Sequence, residues 1–129
     1  MNKDNQLIFE AYANKLLITE ENDQSVCEVD EIGNKIWELN GQTHRVGGPA
    51  VEYVGGDKYW YNHGKCHRED GPAIEHRNGS KQWFLNGNYH PNIQEWGEAV
   101  LKHQKKPSDP KSVQEFLRLI LAKQTKEMI

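Results

Sequence analysis

Residues 58–73, KYWYNHGKCHREDGPA, decide the fold, because this stretch recurs along the chain. Residues 35–50 read KIWELNGQTHRVGGPA, and residues 81–90 begin a further copy as KQWFLNGNYH. The copies place one tryptophan every 23 residues, at Trp37, Trp60 and Trp83. A unit this short cannot bury an apolar face alone. The periodicity therefore predicts several copies of one small module packed side by side.

Each copy reads as two strands joined by turns. Asn-Gly is a strong hairpin signal, because both central residues of a type I′ turn need positive φ. The corresponding pairs are Asn40-Gly41, His63-Gly64 and Asn86-Gly87. The sheet is then interrupted at Gly71-Pro72, since proline cannot donate to a ladder. This pattern predicts an antiparallel β-meander of 23-residue hairpin repeats over residues 25–91.

Counting outward from the turns predicts the register. With Gly55-Gly56 as a two-residue loop, Val51 lies opposite Trp60; with His63-Gly64 as the loop, Trp60 lies opposite His67. The same count gives three further pairs, namely Ile74 with Trp83, Trp83 with His90, and Trp37 with His44. We therefore expect one face to carry β-branched residues, tryptophans and histidines, and to form the core.

The opposite face is expected to be aromatic, with charges at intervals. Such a mixed face is either half covered or the place where a partner binds. The candidate partner-binding residues are Glu52, Tyr59, Tyr61, Arg68, Phe84 and Tyr89.

The segments that flank the repeats have helical patterns. Residues 1–24 are expected to contain a short helix, and residues 92–129 two helices separated by a break at 105–110. The apolar stripe of the last helix predicts packing on the sheet or on a partner. The sequence thus predicts an α+β protein in which C-terminal helices close the sheet.

Charge and composition narrow the class of partner. The 129 residues carry a net charge of −3, and acidic residues outnumber basic ones by 19 to 16. No apolar run approaches the ~20 residues of a membrane span, and the N-terminus lacks the features of a secretory signal. We expect a cytoplasmic protein without a membrane partner. Nucleic acid is disfavoured, and we interpret the row Lys35, Lys58 and Lys81 as a solvated ladder at a sheet edge.

Metal and catalytic sites are not indicated. His44, His67 and His90 occupy equivalent positions two strands apart, about 9.6 Å at a strand spacing of ~4.8 Å, which is too far for one zinc ion. Arg68 and Asp70 are explained as a surface arginine and a turn residue. Without a nucleophile elbow, a P-loop or a dinucleotide motif, the sequence predicts no enzyme, no metal and no cofactor.

The segment from Gly33 to His90 resembles the W-Y-x-N-G-x-x-H-R-x-D-G-P-A repeats, MORN-like in style, of proteins from large tailed phages and giant DNA viruses. The middle copy matches best, and Gly47 replaces the aspartate of the motif in the copy before it. The matching positions of the middle copy are Trp60, Gly64, His67, Arg68, Asp70, Gly71 and Pro72. The resemblance implies a viral, phage-type origin and structural roles for these residues.

These features favour a small interaction protein that binds a protein partner in the host cytoplasm, such as an inhibitor of a host defence enzyme (an anti-CRISPR or similar anti-defence protein). Two alternatives stay open. One is a small-ligand or nucleotide sponge, with a pocket between subunits lined by Lys58, Arg68 and tryptophans. The other is a structural virion protein. Self-association into a homo-oligomer is also open.

Overall fold

The computed structural model describes residues 23–127 and has an α+β fold, an antiparallel sheet followed by two helices. The helix expected within residues 1–24 lies almost wholly outside the described residues. The strands are β1 Val26–Val29, β2 Lys35–Leu39, β3 Gln42–Thr43, β4 Val51–Glu52, β5 Lys58–Tyr59, β6 Tyr61–Asn62, β7 Lys65–Cys66, β8 Ile74–Glu75, β9 Lys81–Leu85 and β10 Asn88–His90. The helices are α1 Ile93–His103 and α2 Pro110–Glu127.

The strand order departs from a simple meander. The path runs β1-β2-β4-β5-β8-β9-β10, with β3 paired only to β2, and β6 and β7 forming a separate hairpin. The first half of β2 pairs with β4 of the next copy, and its second half pairs with its own return strand β3. Each tryptophan-bearing segment therefore joins the main sheet to a hairpin that projects beyond it.

The Asn-Gly and His-Gly hairpins have the predicted register. Tyr61 lies opposite Cys66, and Trp83 lies opposite His90. The first residue of each turn has positive φ: 52° at Asn40, 46° at His63 and 50° at Asn86. The turn chemistry of the sequence was therefore sufficient to place these strands.

The register across the glycine loops was predicted wrongly by one residue. Val51 lies opposite Tyr59 rather than Trp60, and Ile74 lies opposite Gln82 rather than Trp83. The cause is a three-residue loop. The Tyr53 N–H donates to the Asp57 carbonyl, and the N–H of Gly56, at φ 110°, donates to the Tyr53 carbonyl, both at 2.9 Å. Because side chains alternate along a strand, one extra residue exchanges the two faces.

The corrected register creates a ladder of alternating charge across the sheet. Direct cross-strand neighbours are, in order, Lys35, Glu52, Lys58, Glu75 and Lys81. The lysine row therefore lies within the sheet beside glutamates, not at the sheet edge as expected. Opposite charges at such positions stabilise strand pairing by roughly 0.2–1 kcal/mol each. The other face carries the row Ile36, Val51, Tyr59 and Ile74.

The tryptophans lie on the charged face and are half-buried rather than fully enclosed. The Arg45 guanidinium lies 3.9 Å above the Trp37 ring, and that of Arg68 lies 4.0 Å above Trp60. The third tryptophan, Trp83, is covered instead by Trp96 of α1, at 4.6 Å between ring centroids. The expected apolar core therefore exists on this face only at the C-terminal end.

The two helices supply that core. Trp96 and Val100 of α1 are fully buried, and Val113, Leu117 and Ile120 of α2 pack against them. This apolar side of α2 is the stripe that the sequence predicted, although Leu121 is exposed.

Each arginine that stacks on a tryptophan also packs against a glycine; we call this arrangement an arginine stack. Arg68 Nη1 donates to the Pro72 carbonyl, and Arg45 Nη1 to the Pro49 carbonyl, both at 3.1 Å. To make this bond the guanidinium passes over the glycine that precedes the proline. A Cβ on Gly71 would lie 2.6 Å from Arg68 Cζ. The Arg-x-x-Gly-Pro spacing is therefore a packing requirement.

We predict that Gly71→Ala lowers the free energy of unfolding by about 1–3 kcal/mol, because the added methyl overpacks the arginine stack. Urea unfolding followed by tryptophan fluorescence measures this change. The control is Gly55→Ala, where a Cβ meets no atom within 4 Å, and we expect a change within about 0.5 kcal/mol. Equal effects of the two substitutions would contradict this role of Gly71.

Candidate functional site

Five aromatic side chains lie on the face opposite the tryptophans; we call this surface, Tyr53, Tyr59, Tyr61, Phe84 and Tyr89, the aromatic face. The Tyr53 and Tyr59 rings meet edge to face at 5.6 Å, and Phe84 contacts Tyr89 across β9 and β10 at 5.3 Å. Tyr53 is 45% exposed and Tyr89 is 53% exposed. Large, stiff rings with a polar tip are typical of protein interfaces.

The structure divides the predicted partner-binding residues between two surfaces. Four of them, Tyr59, Tyr61, Phe84 and Tyr89, belong to the aromatic face. Glu52 instead lies opposite Lys58 on the charged face. Arg68 stacks on Trp60 there, and its Nε donates to Asp70 at 2.8 Å. Glu52 was misplaced because the extra loop residue reverses the direction of β4 side chains relative to β5. Arg68 was misplaced because it follows the end of β7, where its guanidinium folds over Gly71 onto Trp60.

Tyr53 is an aromatic-face residue that the sequence reasoning missed. It follows Val51 by two residues and so points to the same side once the loop is three residues long. Gly56 adopts positive φ at the third loop position, but Gly55-Gly56 also suits a two-residue loop, so the sequence alone did not reveal the longer loop.

Burial favours the neutral form of two hydroxyls of the aromatic face and of the thiol beside them. Burial raises the pKa of the Tyr59 and Tyr61 hydroxyls, with neighbouring Cys66 and tyrosines adding to the effect. Burial also raises the pKa of the Cys66 thiol to about 11. The face therefore offers apolar rings, hydroxyl donors and a protonated thiol to whatever contacts it.

The charged face contains a groove beside Trp60, with a volume of about 790 Å³, that we call the Trp60 groove. Its basic side chains largely have partners within the chain. Lys123 pairs with Asp70, and Lys81 donates to Gln124 Oε1 at 2.9 Å. Arg68 pairs with Asp70 and, at 3.5 Å, with Glu75. A ligand of this groove must compete with these internal contacts.

His67, Glu69 and His103 form a cluster in which one ligand atom from each lies within 4.8 Å of the others. The hydrogen bonds of His67 oppose metal binding. Its Nδ1 accepts the Asn86 N–H at 2.9 Å, so the neutral ring carries its proton on Nε2, 3.0 Å from Glu69 Oε2. A metal at Nε2 would need that nitrogen unprotonated. The arrangement favours hydrogen bonding over ligation.

His44 occupies the corresponding place one copy earlier. It is 2% exposed, its Nδ1 accepts the His63 N–H at 3.0 Å, and its ring stacks on His63 at 4.2 Å. Burial lowers the pKa of His44, and the neighbouring His63 lowers it further, while Asp23 opposes the shift. Folding therefore favours the neutral form of this ring.

No protein-family model matches this chain, and no curated protein or solved structure is significantly similar to it. Across residues 23–127, neither helix has the length and apolar character needed to cross a membrane. The aromatic face and the Trp60 groove are therefore the observations from which a function can be argued.

We predict that acid weakens the fold through His44. Its pKa in the folded chain lies below the ordinary 6.5, so the unfolded chain binds the proton more readily. The free energy of unfolding is then highest above about pH 6.5 and falls as the pH drops through the lowered pKa. Urea unfolding between pH 5 and 7.5 measures this loss.

The matched variant is His44→Asn, whose amide oxygen can accept the His63 N–H without titrating. The free energy of unfolding of this variant should change less between pH 5 and 7.5. The carboxylates with lowered pKa titrate at lower pH and are common to both proteins. Parallel pH profiles for the two proteins would contradict the assignment.

We also predict unequal reactivity of the two cysteines. Cys27 is exposed, whereas the Cys66 thiol has its pKa raised to about 11, which leaves about 0.1% thiolate at pH 8. Ellman's reagent should modify Cys27 rapidly and Cys66 only on unfolding. The Cys27→Ser variant should then show almost no fast phase, and a fast phase from Cys66 would contradict its raised pKa.

Proposed function

We propose that this chain is a small, phage-type interaction protein that binds a protein partner through the aromatic face in the host cytoplasm. One form of this function is inhibition of a host defence enzyme, as by an anti-CRISPR or related anti-defence protein. The observation that carries the proposal is the set of five aromatic side chains on one face, with two pairs in ring contact, outside the core that α1 and α2 build.

The position of the helices supports this choice of face. The core cluster includes Trp83 and Leu85 but not Phe84, which alternates with them along β9. Among the described residues, α1 and α2 therefore pack on the side away from the aromatic face. Partly exposed aromatic rings held on a strand framework lose little conformational freedom on binding, and such residues dominate interface energies.

The chemistry of the face supports binding rather than turnover. A catalytic nucleophile or base needs a pKa tuned toward the working pH. The Tyr59, Tyr61 and Cys66 side chains are shifted the other way, toward the neutral form. We therefore propose a protein that acts by contact and is not an enzyme.

We further propose that the 23-residue unit is the structural repeat and that it belongs with the phage and giant-virus repeats that the sequence resembles. Equivalent contacts support this. The Trp37 N–H donates to the Ala50 carbonyl, and the Trp60 N–H to the Ala73 carbonyl, each at 2.8 Å. The arginine stacks on these two tryptophans are equivalent as well.

The proposed interface predicts that Tyr61→Ala combined with Phe84→Ala abolishes partner capture. Two interface aromatics at a hot spot contribute about 2 kcal/mol or more each, so the loss should exceed about a hundredfold in affinity. The measurement is affinity capture from host lysate with quantitative mass spectrometry. Circular dichroism and thermal unfolding check that the variant stays folded.

The control replaces Leu119 and Leu121 with alanine, since these side chains of α2 are 70% and 52% exposed and lie outside the aromatic face. Proteins that the control captures and the aromatic variant loses are the partners. Loss with the leucine variant and retention with the aromatic variant would move the interface to α2 and reject the proposal.

A small-ligand sponge is the second candidate, because the Trp60 groove places Lys58, Lys81 and Lys123 around an indole ring. Purified protein should then release a small molecule on heat denaturation, detectable by mass spectrometry of the supernatant. Retention of the same molecule by a Lys58→Ala, Lys81→Ala variant would reject the groove as its site.

A further inference from the structure

We propose that Arg45 is a binding site for a carboxylate group of another molecule. The argument compares it with Arg68, which stands 23 residues later in the same sequence context. Arg68 contacts a carboxylate of the chain, whereas Arg45 is held in the same way with no carboxylate beside it among residues 23–127.

At Arg68 the guanidinium is fixed by three kinds of contact. It stacks on Trp60 at 4.0 Å, Nη1 donates to the Pro72 carbonyl at 3.1 Å, and Nε donates to Asp70 Oδ1 at 2.8 Å. Glu75 adds a longer contact at 3.5 Å. In this environment the hydrogen-bond acceptor for Nε is a carboxylate.

At Arg45 the first two contacts are repeated. The guanidinium stacks on Trp37 at 3.9 Å, and Nη1 donates to the Pro49 carbonyl at 3.1 Å. It also lies against Gly48, where a Cβ would be 3.0 Å from Cζ. The guanidinium is therefore held in place, half-buried, before any ligand arrives.

The third contact is missing at Arg45. Gly47, with φ 85°, stands where Asp70 stands in the next copy and has no side chain to offer. Within residues 23–127 no carboxylate lies within 4.0 Å of Arg45. Glu52, the equivalent of Glu75, lies opposite Lys35 and Lys58 in the strand register. The Nε–H thus lacks the acceptor that its counterpart has.

These contacts favour an external carboxylate. A charge-assisted hydrogen bond to a fixed guanidinium costs little side-chain entropy. Arg45 lines the Trp60 groove together with Lys58, so a ligand can approach from solvent and meets a second cation. This site lies on the charged face, so it is independent of the aromatic face.

The test is an NMR titration that observes the arginine Nε–Hε signals, of which the chain has four, at Arg45, Arg68, Arg77 and Arg118. Sodium acetate is the probe, with sodium chloride at equal ionic strength as the reference. We expect a saturable shift of the Arg45 signal. The Arg68 signal, already bonded to Asp70, and that of exposed Arg118 should move little and without saturation.

Two variants test whether Arg45 is the arginine that binds acetate. In both, the titration is followed through the backbone amide signals of Gly47 and Gly48. Arg45→Lys keeps the charge and loses the Nε–H, so acetate should bind about tenfold more weakly, as expected for the loss of a charged hydrogen bond. Arg118→Lys should leave the titration unchanged. Equal, linear shifts of all four arginine signals would overturn the proposal.

Sodium sulfate at the same ionic strength tests the class of ligand. Acetate binding at Arg45 that sulfate does not match supports a carboxylate site. Sulfate binding there as tightly as acetate would overturn the assignment and leave a general anion site.

Discussion

The histidine that accepts a hydrogen bond from the next hairpin is the contact on which the rest of the structure depends. Beyond the main sheet, neighbouring hairpins share no continuous backbone ladder. His44 and His67 join them, because each Nδ1 accepts the N–H that opens the following turn. The next glycine donates to Thr43 or Cys66. These bonds satisfy turn N–H groups that would otherwise be costly to bury, and they set the spacing at which the arginine stacks form.

Much of the fold could be predicted from the sequence because turn chemistry is local. Asn40, His63 and Asn86 adopt positive φ beside glycine, and these pairs fix the hairpin register without help from packing. The Gly55-Gly56 loop could not be placed in the same way, since a two-residue and a three-residue loop both accommodate these glycines. The hydrogen bond from Gly56 to Tyr53 decides between them. The loop that is one residue longer than expected puts Glu52 and Tyr59 on opposite faces, whereas the sequence predicted them on the same face.

The candidate site was only partly predictable for the same reason. Tyr59, Tyr61, Phe84 and Tyr89 were found because aromatic residues recur within the strands. The surroundings of Arg68 were not, because its stack on Trp60 depends on a chain reversal at Gly71 that no periodicity indicates. The arrival of Trp96 over Trp83, where the preceding copies use arginine, likewise depends on how α1 folds back. Such contacts arise from tertiary packing.

The alternating charges across the sheet have a consequence for assembly. A chain made of similar strands risks joining each strand to the wrong copy, within one molecule or between two. Omitting a glutamate-bearing strand would bring Lys58 beside Lys35 or Lys81, and like charges would then oppose the error. Correct strand pairing in this chain is therefore favoured by the alternating charges of five side chains, Lys35, Glu52, Lys58, Glu75 and Lys81, which the likeness of the copies does not weaken.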